Sequence, residues 1–320
     1  MPSGWIETAG ETIAVRCQEK SAAGLITRAV GAPLASRPGS DVTVSLDVET
    51  ATARFDTARL TSVTRDCWSD GTRTVLANAC GSGFDLQIEV TDAHLAVTAR
   101  YRPPAPVRGL NTLTRRRFSL LAGQTLVHYP VLWRAGWRGR VPLHAGVLAT
   151  TAGLPLLVGP SGVGKSTVIG AAVAEGAAAT SDNLCCGDGS DCFGLAEPLR
   201  LTGGAARRTS HGRSDTELTG RVGSLMPDRV VVLARGRETR IEAAKPDDAA
   251  RSLVAGTYAA GELRRYWQFA ATLALATGRG PAHPPVHEVA AGYTDRLPCL
   301  RVQVGDGERS TVAQLCGELS

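Results

Sequence analysis

No C-x-x-C pair occurs in this sequence, although it holds eight cysteines. Zinc sites built from local thiols need ligand pairs at short spacing, so nothing here signals that class. Eight cysteines spread over 320 residues are also too sparse for a disulfide scaffold, and they read as ordinary reduced thiols. Aromatic residues make up only 5% of the chain and the net charge is a modest +5. Without a dense basic stripe interleaved with aromatics, the composition does not point to nucleic acid. Long apolar runs are missing too, so no segment is suited to span a bilayer. The opening stretch MPSGWIETAGETIAVR lacks a basic segment followed by an apolar core, so it does not read as a signal peptide. A cytoplasmic protein with no membrane partner is the expectation. No repeat or long low-complexity tract appears.

What is present divides the chain in three. DVTVSLDVE (41–49) alternates apolar and polar side chains as a half-buried strand does, and TRTVLANAC, FDLQIEV and HLAVTARYR continue the pattern. Residues 1–102 are therefore expected to form a small, mostly β domain. PPAPV (103–107) reads as a connector, because proline stiffens it and blocks regular pairing. The following stretch, to about residue 140, looks helical, with Pro130 kinking or splitting it and Arg115, Arg116 and Arg117 on a solvated face. From 141 to 320 the pattern is mixed α/β. LPLLV (154–158), DRVVVLAR (228–235) and RLPCLRVQV (296–304) read as apolar strands, with hairpins inserted between them.

Between LPLLV and the helix expected in KSTVIGAAVAEGA lies GPSGVGKST, which fits G-x-x-x-x-G-K-S. Glycines at 159, 162 and 164 let successive backbone N–H groups turn inward around a phosphate, where side chains would obstruct them. The helix that follows offers further unpaired N–H groups. The expected nucleotide contacts are Gly159, Ser161, Gly162, Val163, Gly164, Lys165, Ser166 and Thr167. Lys165 can reach the outer phosphates and Ser166 can ligate Mg²⁺. A strand, this loop and a helix in that order make a nucleotide-binding reading specific.

Phosphoryl transfer also needs an acid near the terminal phosphate. Asp182, in TSDN, lies at an expected strand edge soon after the loop's helix, and could accept a hydroxyl proton or hold Mg²⁺. Asn183 could orient a ligand but cannot be the base. His144, in VPLHAGVLA, precedes the phosphate strand; it could bond a phosphate, orient Asp182 or shuttle a proton, or serve as a structural hydrogen-bonding residue. GGAARRTSHGRSD supplies Arg207, Arg208, His211 and Arg213, which could meet an acidic acceptor or an ATP phosphate; a solvated loop has the same composition. Cys185 and Cys186 are expected to pack on the Asp182 strand.

The ordered set of LHAGV, the glycine loop and TSDN resembles the HPr kinase/phosphorylase-like superfamily, over roughly residues 118–304. The closer likeness is to standalone HPr-kinase-like proteins associated with peptide or specialised-metabolite modification. The resemblance implies a phosphoenolpyruvate-carboxykinase-like P-loop kinase core and ATP- and Mg²⁺-dependent transfer to a hydroxyl. It implies Asp182 as the base, His144 beside the transferred phosphate, and permits a homo-oligomer. The family carries two consecutive acids where this chain has Asp182 and Asn183. A non-catalytic nucleotide-binding accessory protein, recognising a peptide or protein partner, is the competing expectation. No guanine-reading N-K-x-D stretch is present, and no apolar strand ends in the acid typical of motors and switches.

Overall fold

Ala9 and Gly10 both take positive φ, 54° and 72°, and fold the chain back so that Thr8 pairs with Glu11. Two-residue hairpins prefer such a turn because its twist matches that of the strands, and Asn-Gly is its usual signature. Here an alanine fills the first left-handed position, so strands β1 (Pro2–Thr8) and β2 (Glu11–Cys17) carry no recognisable turn signal. The computed structural model describes residues 2–202 and 213–305. It is a mixed α/β protein that divides into two units.

The first unit comprises Met1–Arg138 and Arg265–His283. After β1 and β2 come β3 (Val44–Glu49), β4 (Thr61–Thr64), β5 (Cys67–Ser69), β6 (Arg73–Leu76), β7 (Phe84–Val90) and β8 (Leu95–Tyr101). They form one eight-stranded sheet in the order β1-β2-β3-β8-β7-β6-β5-β4. β2 and β3 are parallel, which a tight hairpin cannot connect, and helix Lys20–Val30 makes the crossover. Val44, Leu46 and Val48 of β3 and Leu95, Val97 and Ala99 of β8 are buried, as the alternation requires.

The connector is more regular than its prolines suggest. Helix Ala105–Leu113 begins inside PPAPV, with Pro106 in its first turn, where no intrahelical donor is needed. Helix Arg115–Gly123 follows and runs through a wide turn, Gln124–His128, into Tyr129–Gly136. The Tyr129 N–H donates to the Gln124 carbonyl, five residues back, immediately before Pro130. This widened register accommodates the residue with no N–H, so the segment is divided beside Pro130 by a wide turn while its backbone stays helical. All of this segment up to Arg138 belongs to the first unit, as does helix Tyr266–Thr277. The Ser69 hydroxyl donates to the Ala276 carbonyl at 2.7 Å, and the Tyr266 and Phe269 rings pack on Tyr129 at 5.8 Å.

The second unit takes Gly139–Arg264 and the chain from Pro284 onward. Its strands are β9 (Val141–Leu143), β10 (Ala145–Ala149), β11 (Pro155–Val158), β12 (Ala178–Ala179), β13 (Cys185–Gly187), β14 (Cys192–Gly194), β15 (Leu199–Thr202), β16 (Arg213–Thr216), β17 (Ser224–Leu225), β18 (Arg229–Arg235), β19 (Arg240–Ala243) and β20 (Cys299–Val304). The main sheet runs β12-β10-β11-β18-β20-β19, with β11, β18 and β20 parallel and antiparallel strands outside them. Parallel strands are covered on both faces, which is why PLLV and VVVL read as unbroken apolar runs. A smaller antiparallel sheet, β17-β14-β13-β9, and the β15–β16 hairpin complete the unit. Among the described residues no helix is long and apolar enough to cross a membrane.

Candidate functional site

β11 is fully buried and delivers the chain into residues 159–164, after which helix Lys165–Ala174 begins. Gly159, Gly162 and Gly164 take φ of 149°, 82° and 119°. A Cβ on Gly159 would also lie 2.7 Å from the Leu233 carbonyl, so this first glycine is needed for space as well as backbone freedom. Val163 is buried in the core with Leu157, Ile169 and Leu233 and pins the loop from below. Ser161 and Gly162 face outward, and the Thr167 side chain is exposed while its N–H donates to the Gly164 carbonyl at 3.0 Å. Lys165 is buried; its Nζ donates to the Gly159 carbonyl at 2.7 Å and lies 3.5 Å from the Pro160 carbonyl.

His144 sits between β9 and β10, where the chain passes from the small sheet to the large one. Its N–H donates to the Thr257 hydroxyl at 3.1 Å, and its Nδ1 donates to the Gly256 carbonyl, also at 3.1 Å. Burial, reinforced by the nearby Lys165 charge, pushes its pKa down to about 4. At neutral pH the ring is uncharged, and with Nδ1 committed to a carbonyl, Nε2 is an acceptor. The Asn183 side chain lies close enough to influence the ring, and its amide N–H is buried without a partner among the described residues.

Asp182 reaches the same place by stitching along β10. The Thr180 N–H donates to the Val147 carbonyl at 2.9 Å, and the Ser181 hydroxyl donates to the Ala145 carbonyl at 3.3 Å. Gly146 is needed there because a Cβ would collide with the Ser181 backbone. Asp182 and Asn183 are thereby carried past His144, and both are buried. Asp182 Oδ2 accepts the Arg200 N–H at 3.3 Å, and the Ser166 hydroxyl is a further hydrogen-bonding neighbour of the carboxylate. Oδ1 is buried and has no hydrogen-bond partner among the described residues. Burial raises the Asp182 pKa, opposed by the Arg200 charge and by Ser166.

Four side chains that sequence reasoning missed complete the cluster. The Arg200 guanidinium lies 2.8 Å from Glu262 and 3.4 Å from Glu197. Glu197 Oε1 accepts the Leu184 N–H at 2.9 Å, and burial pushes the Glu197 pKa up to about 8 despite Arg200. Arg221 donates to the Glu197 carbonyl. The sequence carried no local signal for this: in LRL the arginine simply alternates with two leucines, which reads as the solvent side of a half-buried strand. The Cys185 thiol, buried against Cys192, has its pKa raised and is a poor nucleophile.

The structure thus gathers His144, Lys165, Ser166, Asp182 and Asn183 at the C-terminal end of β11. Arg207, Arg208 and His211 lie outside the described residues, and Arg213 enters only as backbone of β16. Among the described residues no three His, Cys, Asp or Glu side chains group closely enough to hold a metal ion by themselves. No protein-family model matches the chain, and no curated protein matches it.

Proposed function

We propose that this protein transfers the terminal phosphoryl group of ATP to a hydroxyl of a peptide or small metabolite. On this reading the second unit is a phosphoenolpyruvate-carboxykinase-like P-loop core of HPr-kinase type. The observation that carries the proposal is the convergence, around one buried carboxylate, of the loop's Ser166 and the Asp182–Asn183 segment, with Lys165 and His144 beside it. A glycine turn with only a structural role gives no reason to bury an aspartate with one oxygen lacking a partner among the described residues.

The chemistry follows from what each group can do. The loop N–H groups and Lys165 hold the β- and γ-phosphates, with Lys165 exchanging its carbonyl partners for phosphate oxygens. The acceptor hydroxyl oxygen bonds to the γ-phosphorus as the bond to the ADP oxygen breaks, and its proton passes to Asp182. Neutral His144 is an acceptor, suited to orienting a hydroxyl rather than to neutralising phosphate charge. The open Oδ1 of Asp182 and the Ser166 hydroxyl fit Mg²⁺, which commonly takes one or two protein oxygens and completes its shell with phosphates and water. Bound there, Mg²⁺ would supply charge neutralisation on the phosphates.

Asn183 favours one other reading, a nucleotide-binding accessory protein, since a second acid is absent at that position. Transfer of label from [γ-³²P]ATP with Mg²⁺ into candidate peptides and metabolites separates the two. Label in one acceptor that disappears with Asp182→Asn supports the kinase. ATP binding without transfer to any member of the pool supports the accessory protein.

A further inference from the structure

β18 runs parallel to β11 with Val232 opposite Val158, so the two strands leave the sheet side by side. The Leu233 carbonyl lies against Gly159, 2.7 Å from where its Cβ would be. Two residues further on, at the last position of β18, Arg235 is exposed, and its Nη2 lies 3.9 Å from the Cβ position of Gly164. Among the described residues, chain neighbours aside, that is the one atom within 4 Å of the added Cβ at Gly164, and Gly162 has none. Open α/β sheets take ligands at the carboxyl ends of their parallel strands, which is where Arg235 and the loop meet.

Neighbouring arginines are engaged: Arg229 with Asp228, Arg240 with Glu242, and Arg200 with Glu262 and Glu197. The Arg235 side chain makes no hydrogen bond or ion pair with any described residue. Among the described residues, then, an uncommitted guanidinium stands beside the glycine loop. Guanidinium forks match phosphate oxygens bidentately and remain charged at any working pH.

We propose that Arg235 closes the phosphate cradle from the β18 side and contacts the outermost phosphate of a bound nucleoside triphosphate. This inference rests on the ATP reading above and names the cation beside the loop. A solvated surface arginine would have the same exposure but would not distinguish nucleotides by phosphate number.

Affinities for ATP, ADP and AMP, measured by titration calorimetry on the full chain with Mg²⁺, test it. Wild type, Arg235→Ala, Arg235→Lys and Arg240→Ala are compared, with circular dichroism verifying the fold of each. The expected result is a loss of about tenfold or more in ATP affinity for Arg235→Ala. The ADP loss should be smaller, AMP unchanged, Arg235→Lys partly restored, and Arg240→Ala, which removes the same charge nearby, like wild type. If Arg235→Ala keeps the wild-type ratio of ATP to ADP affinity, the Arg235 assignment is overturned and the ATP reading stands. If wild type binds no ATP, both fall.

Discussion

The peptide N–H of Arg200 lies 3.3 Å from Asp182 Oδ2, and the side chain of the same residue reaches Glu262 and Glu197. One residue therefore fixes a carboxylate oxygen through its backbone and supplies the cation for two further acids. Replacing Arg200 by leucine removes the partner of Glu262 and of Glu197, which its raised pKa keeps mostly protonated at neutral pH. Leaving buried polar atoms unsatisfied this way costs about 1–3 kcal/mol. Urea unfolding should show a lower midpoint for Arg200→Leu and a smaller decrease for Arg200→Lys. An unchanged midpoint for Arg200→Leu would mean that the cluster tolerates unpaired acids.

Asp182 should behave as a site residue held at the expense of stability. Burial raises its pKa, so its ionised form is disfavoured in the fold. Asp182→Asn is expected to keep or raise the melting temperature while reducing phosphate transfer by about 10²–10⁴-fold. A variant that melts lower and transfers normally would reverse both assignments.

His144 makes stability depend on acid. Its folded pKa, about 4, lies below the ordinary 6.5. As pH falls from 6.5 towards 4 the unfolded chain takes up a proton that the folded chain refuses, so stability declines over that window. His144→Asn should flatten this part of the profile, read from denaturation midpoints at successive pH values.

Glu197 has the opposite slope. Its folded pKa of about 8 lies above the ordinary 4.5, so its contribution is greatest below 4.5 and is lost as pH rises towards 8. Glu197→Gln, which mimics the protonated acid, should remove the decline between pH 4.5 and 8. A wild-type midpoint that climbs steadily from pH 5 to 8 would contradict this assignment.

The glycines of the loop should not be equivalent. Gly162→Ala adds a methyl that meets nothing and suffers only from its positive φ, a cost of about 1–2 kcal/mol. Gly159→Ala meets the Leu233 carbonyl as well and should melt lower than Gly162→Ala. Equal melting temperatures would show that the loop start can shift away from β18.

The parallel strands and the glycine loop were legible in the sequence because their signals are local. PLLV and VVVL are uninterrupted apolar runs, CLRVQV alternates apolar and polar residues from Leu300 on, and GPSGVGKS carries its geometry in its spacing. The β1–β2 hairpin was not legible, because Ala9 occupies a position where glycine or asparagine would have announced the turn. Pro130 reads as a kink or a split, and the form this takes, a single wide turn just before it, is set by the helix's own hydrogen bonds rather than by any residue type. The Arg200–Glu197–Glu262 cluster joins residues up to 65 positions apart (262 − 197), beyond the reach of any periodicity argument. Asp182 and His144 stand between these cases. Their types and order were readable, whereas the uncharged state of His144 depends on burial by residues far along the chain.

Residues 265–283 complete a unit whose other part ends at 138. During synthesis, the first sheet emerges long before helix Tyr266–Thr277, which carries the Ala276 carbonyl for Ser69 and the rings that pack on Tyr129. The unit that begins first can therefore finish only after most of the second has been made. Cutting the chain after 138 yields an incomplete body rather than a domain, and expression of either unit alone calls for rejoining segments by circular permutation or a linker.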